Sequence, residues 1–292
     1  MLLYFLKTQR TRDAMTEPRP FYNVSRGDDI VERLHAIESS HNVRVLYAIE
    51  SGSRAWGFAS PNSDWDVRFI YVHPEDWYLT VHEQRDVIEI PIDGDLDISG
   101  WEIRKSLRLL RKGNPVLFEW LKSPILYLEG RDDVSGNALM EDYRRVASEL
   151  FNPMATVYHY WHMAKGNFRE YLHGEEVRLK KYFYVLRPVL ACQWVLAGYG
   201  QPPMAFAALL ERLVPAGALR QEIDELLRLK MAAEEMAMGP ARPAIQVYLD
   251  ESLKMIEASV REFPRGRQNP ESPDQVDELF RNIVRDRGWH AQ

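Results

Sequence analysis

Two strand-like runs joined by a glycine–serine turn constrain the fold of this chain more than any other feature. Residues 43–72 read VRVLYAIESGSRAWGFASPNSDWDVRFIYV. Val43–Ile49 is apolar and rich in β-branched residues, which is typical of a buried strand, and Gly52-Ser53 interrupts it. Trp65–Val72 reads as a second strand. The stretch therefore predicts a strand–turn–strand unit with polar side chains at the strand ends.

An acidic pair stands at the start of the second strand. The alternation of a strand places Asp64, Asp66 and Arg68 on one face and the apolar residues between them on the other. Two carboxylates on one face need a counter-charge when they are withdrawn from water. Hard oxygen ligands suit Mg²⁺. The pattern predicts a magnesium site, whereas a solvated turn is the alternative interpretation of any isolated Asp-x-Asp.

The turn and a later acidic segment extend this candidate site. A Gly-Ser turn can present backbone N–H groups and a hydroxyl to phosphate oxygens, and it is also a common turn without any ligand. Further acids occur in Asp95-Leu96-Asp97-Ile98, within another apolar-alternating run. The combination favours an active site over three unrelated surface features.

These motifs resemble the DNA polymerase β nucleotidyltransferase superfamily. More narrowly, the segments SGSRAWGFASPNSDWDVRFIYV, DLDISGWEIRKSLRLLRKGNPVLFEWLKSPI and KKYFYVLRPVLACQW resemble a bacterial and phage family of predicted nucleotidyltransferases associated with RNA-repair operons. The resemblance covers roughly residues 21–262. It implies transfer of NMP from an NTP to a hydroxyl group, with release of pyrophosphate.

The resemblance also implies roles for the three carboxylates. Asp64 and Asp66 are expected to bind two Mg²⁺ ions, for which Mn²⁺ can substitute, at a separation of about 3.5–4 Å. Asp97 is the best match to the third carboxylate, which binds the metal on the nucleophile side and helps to accept the proton. Asp95 lies on the same strand face as Asp97 and is the alternative.

Several further residues are expected to bind the nucleotide. Ser53 is expected to contact a β- or γ-phosphate oxygen, and Gly52 lets the backbone approach it closely. Arg68 either reaches a phosphate or forms a salt bridge with the carboxylates.

A second group lies in Glu176–Ala197, which is predicted as one helix. Lys180, Tyr184 and Arg187 recur there at helical spacing and so share one face. A cationic, aromatic face suits a triphosphate and a stacked base. Lys181 is the alternative to Lys180, and a solvated helix face is the alternative interpretation of the whole group.

The order of elements predicts an α+β chain with two domains. Strand and helix signals alternate up to about residue 130, which indicates a polymerase-β-like nucleotidyltransferase domain, a mixed sheet with flanking helices, over residues 21–130. Strand signals then stop, so residues 131–263 are predicted to form an α-helical domain. A flexible leader is expected over residues 1–20, and a linker with a C-terminal helix over residues 264–292.

Composition restricts the compartment and the partners. The single cysteine excludes a disulfide framework, so no disulfide partner is expected and the reducing cytoplasm is favoured. The net charge of −6 argues against a protein dedicated to duplex binding. No apolar run approaches the ~18 residues of a membrane-spanning helix, so no membrane partner is expected. No feature of the sequence indicates an oligomeric state.

The sequence therefore predicts a Mg²⁺-dependent nucleotidyltransferase that uses an NTP. An RNA end in RNA repair is the leading acceptor, and a protein that receives AMP or a small molecule is the alternative. A degenerate scaffold of the same fold is the non-enzymatic alternative. The retention of Asp64, Asp66 and Asp97 argues against it, since a scaffold has no need of metal ligands.

Overall fold

A computed structural model of the protein describes residues 26–130, 134–232, 238–262 and 273–286. Their contacts divide them into two units. The first comprises the described residues up to Asn152 together with 273–286, and the second those from Pro153 to Glu262. The predicted leader over residues 1–20 and most of the predicted linker lie outside the described residues.

The first unit is built on a mixed five-stranded sheet. Its order is β3-β4-β2-β1-β5, in which β2 and β4 are parallel and the other neighbours are antiparallel. The strands are β1 (Arg44–Glu50), β2 (Trp65–Val72), β3 (Val87–Glu89), β4 (Leu96–Glu102) and β5 (Leu126–Glu129). Every residue of β1 is buried, as expected for the apolar run that forms it. The mixed sheet predicted from the sequence is confirmed.

Helices cover both faces of this sheet. They are α1 (Gly27–His41), α2 (Gly52–Trp56), α3 (Glu75–Tyr78), α4 (Ile103–Arg111), α5 (Pro115–Trp120) and α6 (Val134–Leu150). One hydrophobic cluster joins Val67 and Phe69 of β2 to Leu34 of α1. A second cluster joins Ile70 of β2 to the helices on the opposite face, among them α4. Alternate residues of β2 are thus buried in two different hydrophobic clusters, one on each face of the sheet.

The second unit is mainly helical but contains a small sheet. Its elements are α7 (Pro153–Tyr171), β6 (Glu176–Arg178), a 3₁₀ turn (Leu179–Tyr182), α8 (Phe183–Leu196), α9 (Phe206–Leu213), α10 (Ala218–Met231), β7 (Met238–Pro240) and α11 (Pro243–Glu262). Strands β6 and β7 pair antiparallel, so the expectation that strands end after residue 130 is wrong. The single helix predicted over Glu176–Ala197 is also wrong. Val177 is buried between two exposed neighbours, which is a strand pattern.

Two helices that lie outside the predicted catalytic domain, residues 21–130, complete the first unit. Met140 and Tyr143 of α6 belong to the same buried cluster as Leu46 of β1. Helix α12 (Pro273–Val284) contributes Ile283 to that cluster. The chain therefore changes unit after Asn152, whereas the predicted boundary is at residue 130. Among the described residues, no helix is long and apolar enough to cross a membrane.

Candidate active site

The parallel pairing of β2 with β4 brings two predicted site residues together. Asp66 lies directly opposite Asp97 in the register of the two strands. Residues opposite each other in a parallel pair share one face of the sheet, so both carboxylates stand on the same face. Their side chains are 30% and 36% exposed, so water and a ligand can reach them. Asp64 is exposed and stands immediately before β2.

Arg68 connects the two carboxylates. Its Nη2 donates to Asp97 Oδ2 at 2.8 Å and to Asp66 Oδ1 at 3.4 Å. Its Nη1 donates to the backbone carbonyls of Val67 at 2.9 Å and Asp97 at 3.0 Å. The guanidinium therefore supplies the counter-charge that two neighbouring carboxylates require. The salt bridge, one of the two interpretations of Arg68, is the one present in this structure.

The glycine–serine turn lies against Asp66. The Ser51 N–H donates to the Asp66 carbonyl at 2.8 Å, which fixes the turn beside β2. Gly52 has a φ of +61°, and a Cβ at this position would lie 2.1 Å from Asp66 Oδ2. Only glycine fits this contact without displacing the carboxylate. Ser53 follows in the first turn of α2 and is half-buried.

Glu50 is a residue of this site that the motifs did not identify. It ends β1 and is 0% exposed. Its Oε1 accepts the backbone N–H of Asp66 at 2.9 Å, and its Oε2 accepts the Tyr127 hydroxyl at 2.7 Å. Burial raises the pKa of Glu50 to about 7, against the opposing effect of these two hydrogen bonds. The available signal was a glutamate at the end of an otherwise apolar strand, directly before the turn.

Arg54 holds the segment that leads into β2. Its Nη2 donates to the Ser63 carbonyl at 2.6 Å, and its Nε donates to the Asp64 carbonyl at 3.1 Å. The guanidinium also lies 3.7 Å from the centre of the Trp65 ring, a cation–π contact. The backbone of Asp64 is thus fixed from the side of α2.

The alternative third carboxylate, Asp95, has a different partner. Its side chain forms an ion pair with Arg26, which precedes α1, and this contact lowers the pKa of Asp95. Its carbonyl accepts the Trp65 N–H at 2.7 Å. Asp97 is the residue in register with Asp66, so the geometry favours Asp97 over Asp95.

The donor chemistry of this site fits a hard cation. Asp66 and Asp97 present carboxylate oxygens to the same space, and oxygen ligands of this kind are those that Mg²⁺ prefers. Within the ranges that the structure describes, no three or more His, Cys, Asp or Glu side chains are arranged to hold a metal ion. Asp64 is therefore adjacent to the pair in sequence without being gathered into a three-carboxylate cluster.

The other predicted nucleotide-binding residues lie in the second unit. Lys180 and Tyr184 are exposed. The Lys181 Nζ is 4.1 Å from the centre of the Tyr171 ring and 5.1 Å from that of Tyr184. These contacts form a cation–π cluster at the start of α8. The binding roles of Lys180, Lys181 and Tyr184 stay predictions.

Arg187 does not share the exposed face predicted for it. Its side chain is 3% exposed, and its Nε and Nη2 both donate to the Met204 carbonyl at 3.4 Å. The helical spacing fails because Lys180 belongs to a 3₁₀ turn of three residues per turn, and α8 begins only at Phe183. As placed here, Arg187 is closed to a nucleotide from solvent.

Comparison with known proteins agrees with the resemblance predicted from the sequence. A protein of Bacillus subtilis (strain 168) described as the uncharacterized protein YcgL is 44% identical over 255 residues, 87% of this chain and 94% of the relative. A nucleotidyltransferase-like protein from Exiguobacterium sibiricum 255-15 is 10% identical, with 87% of this chain and 88% of that one covered. Its TM-score of 0.26 is too low to support an argument.

The sequence model of one family matches residues 27–282, which include most of both units and every candidate site residue. This match confirms the predicted α+β class, with a polymerase-β-like nucleotidyltransferase domain followed by a helical one. The chain therefore belongs to the RlaP family, the RNA repair pathway DNA polymerase beta family.

Proposed function

We propose that this protein is a Mg²⁺-dependent enzyme that transfers NMP from an NTP to a hydroxyl acceptor and releases pyrophosphate. Membership of a DNA polymerase beta family supports nucleotidyl transfer in general. The observation that carries the proposal is the register of β2 and β4, which sets Asp66 opposite Asp97 while the Gly52 turn lies against Asp66. Carboxylates beside a turn that can receive phosphates are the parts that such a reaction needs.

In this proposal Asp64, Asp66 and Asp97 hold two Mg²⁺ ions, for which Mn²⁺ can substitute. When bound, the metal neutralises phosphate charge and lowers the pKa of the attacking hydroxyl. Asp97 helps to accept the proton of that hydroxyl. Arg68 keeps Asp66 and Asp97 close together although both are anionic, through its bonds to each of them.

The phosphates of the NTP are proposed to lie at the turn. Gly52 is proposed to let the backbone of the turn approach them closely, and the Ser53 hydroxyl and N–H are the proposed donors to a β- or γ-phosphate oxygen. Lys180, Lys181 and Tyr184 stay proposed nucleotide-binding residues. Arg68 is proposed to act as a structural counter-charge, since its Nη1 and Nη2 groups already bind carboxylates and carbonyls.

The acceptor is proposed to be an RNA end. The support is the name of the family, which refers to an RNA repair pathway. The cytoplasm is the proposed location, in keeping with a chain that contains one cysteine.

The test is transfer of label from NTPs radiolabelled at the α-phosphate, with Mg²⁺, to a panel of RNA, DNA, protein and small-molecule acceptors. We expect labelled RNA and no labelled product in the presence of EDTA. Labelled protein or labelled small molecule would replace the RNA acceptor with that class. No product with any acceptor or NTP would contradict nucleotidyl transfer.

Matched variants then test the site within this assay. Asp97→Asn should abolish transfer, because it removes the carboxylate opposite Asp66. Asp95→Asn removes the exposed ion pair with Arg26 and leaves Asp97 in place, so it should retain transfer. The reverse ranking would assign the third carboxylate to Asp95.

A further inference from the structure

Glu50 is a buried carboxyl whose every polar atom is used. Besides the side-chain bonds to the Asp66 N–H and the Tyr127 hydroxyl, its own N–H donates to the Ile125 carbonyl at 3.0 Å. Its carbonyl accepts the Ser123 hydroxyl at 2.6 Å. Burying a carboxyl is costly even when it is hydrogen-bonded, but an apolar residue here would remove the acceptor of both the Asp66 N–H and the Tyr127 hydroxyl. The two groups that Glu50 binds therefore account for a glutamate at this position.

The position of Glu50 at the end of β1 explains its contact with the Asp66 N–H. The ladder between β1 and β2 ends with the pair Glu50 and Val67, so Asp66 lies one residue beyond it. No residue of β1 lies opposite Asp66 to continue the ladder. The Glu50 side chain accepts the Asp66 N–H instead, while the Ser51 N–H binds the Asp66 carbonyl. Both polar groups of the Asp66 backbone are thus held from the segment Glu50–Ser51.

We infer that Glu50, braced by Tyr127, is a positioning residue that sets the backbone of Asp66 and so aims its carboxylate at Asp97 and the turn. This inference rests on the proposed function, because it assigns a task within nucleotidyl transfer. The contact through which Glu50 acts in this inference is the hydrogen bond that its side chain accepts from the Asp66 N–H. Misplacement of a reacting group by about 1 Å can cost about 100-fold in rate.

The test compares two substitutions of Glu50, one that keeps a hydrogen-bond acceptor and one that does not. Glu50→Gln keeps an oxygen to accept the Asp66 N–H and places its amide nitrogen toward the Tyr127 hydroxyl, which can accept as well as donate. Glu50→Leu has a similar size but no acceptor. We expect Glu50→Gln to retain kcat within a few-fold, and Glu50→Leu to lose about 100-fold in kcat with little change in the KM for NTP.

Exchange of the Asp66 amide with solvent deuterium, followed by NMR, is the second readout and needs no activity. We expect rapid exchange of this amide in Glu50→Leu and slow exchange in Glu50→Gln and the wild type. Tyr127→Phe keeps the glutamate but removes its brace, and should give an intermediate kcat. If Glu50→Leu fails to fold, Tyr127→Phe and Glu50→Gln still test the inference.

Several results would overturn it. Wild-type kcat in Glu50→Leu would do so, and so would equal loss in Glu50→Gln and Glu50→Leu, which would mean that the charge matters rather than the acceptor. Slow exchange of the Asp66 amide in Glu50→Leu would show that the hydrogen bond to Glu50 does not protect this amide. A wild-type protein that transfers no nucleotide would contradict the proposed function, while the amide exchange would still decide whether Glu50 holds Asp66.

Discussion

Substitution of Gly52 by alanine is the sharpest test of the geometry of this site. The alanine Cβ would lie 2.1 Å from Asp66 Oδ2 and 3.0 Å from Asp66 Cγ. Ordinary contact begins at 3.4 Å, so the carboxylate or the turn must move by about 1 Å or more. Gly57, at the end of α2, is a matched control. It has a φ of +87°, and a Cβ there would meet no atom within 4 Å.

Both variants strain the backbone at a positive φ, and only Gly52→Ala also collides with Asp66. Alanine at a positive φ costs about 1–2 kcal/mol of folding free energy, and both positions incur this strain. Each kcal/mol lowers the melting midpoint by about 2–4 °C in a domain of this size. Only Gly52→Ala also displaces Asp66, and a displacement of about 1 Å can reduce the transfer rate about 100-fold.

The assay pairs thermal melting with single-turnover transfer of label from an NTP. We expect similar melting midpoints for Gly52→Ala and Gly57→Ala, and a large loss of transfer in Gly52→Ala alone. Equal transfer rates in the two variants would refute the contact between the turn and Asp66. A much lower midpoint for Gly52→Ala would show that the collision is relieved by rearrangement of the fold rather than of the carboxylate.

Two further predictions concern stability. Burial lowers the pKa of His73 from 6.5 to about 4, so the unfolded chain binds the proton first and stability should fall as the pH drops from about 6.5 to about 4. His73→Phe, which retains an aromatic ring against Trp77, should flatten this part of the plot of melting midpoint against pH, and parallel plots would contradict the assignment. Arg187→Ala should lower the melting midpoint because it empties a buried site, whereas exposed Lys180→Ala should change stability by less than ~0.5 kcal/mol. Equal midpoints for these two variants would contradict the burial of Arg187.

Local patterns predicted the strands that carry the candidate site. The alternation of β2 is confirmed, with Trp65, Val67 and Phe69 buried and Asp66 and Arg68 half-buried. This succeeded because a strand with one polar face reveals its period within a few residues. The choice between Asp95 and Asp97 needed more, since the alternation of the sequence assigns both to the same face of one strand. The parallel register of β2 and β4 and the ion pair of Asp95 with Arg26 distinguish them.

The errors occurred where a partner distant in sequence decides the outcome. The sequence predicts an exposed side chain for Arg187, because arginine is seldom fully buried unless it is paired. One of its partners is the backbone carbonyl of Met204, and a backbone carbonyl carries no signature in the sequence. Glu50 was missed for the same reason, since the Tyr127 hydroxyl that braces it comes from β5. The composition of α6 is that of any amphipathic helix, so the sequence does not indicate that this helix packs on the sheet.

The sequence leaves two interpretations of Arg68, contact with a phosphate and a salt bridge with the carboxylates, and the structure contains the salt bridge. The two-residue alternation of β2 places Arg68 beside the carboxylates, where an arginine can bind either a phosphate or an acid. The bonds of Nη1 to the Val67 and Asp97 carbonyls fix the guanidinium to the two strands, so it cannot turn away without losing backbone partners. Its Nη2 donates to the carboxylates of Asp66 and Asp97, and contact of Arg68 with a phosphate stays a prediction. Arg68 therefore compensates the negative charge of Asp66 and Asp97 and holds the two carboxylates as a pair. The Gly52 turn and Glu50 contact the Asp66 member of this pair.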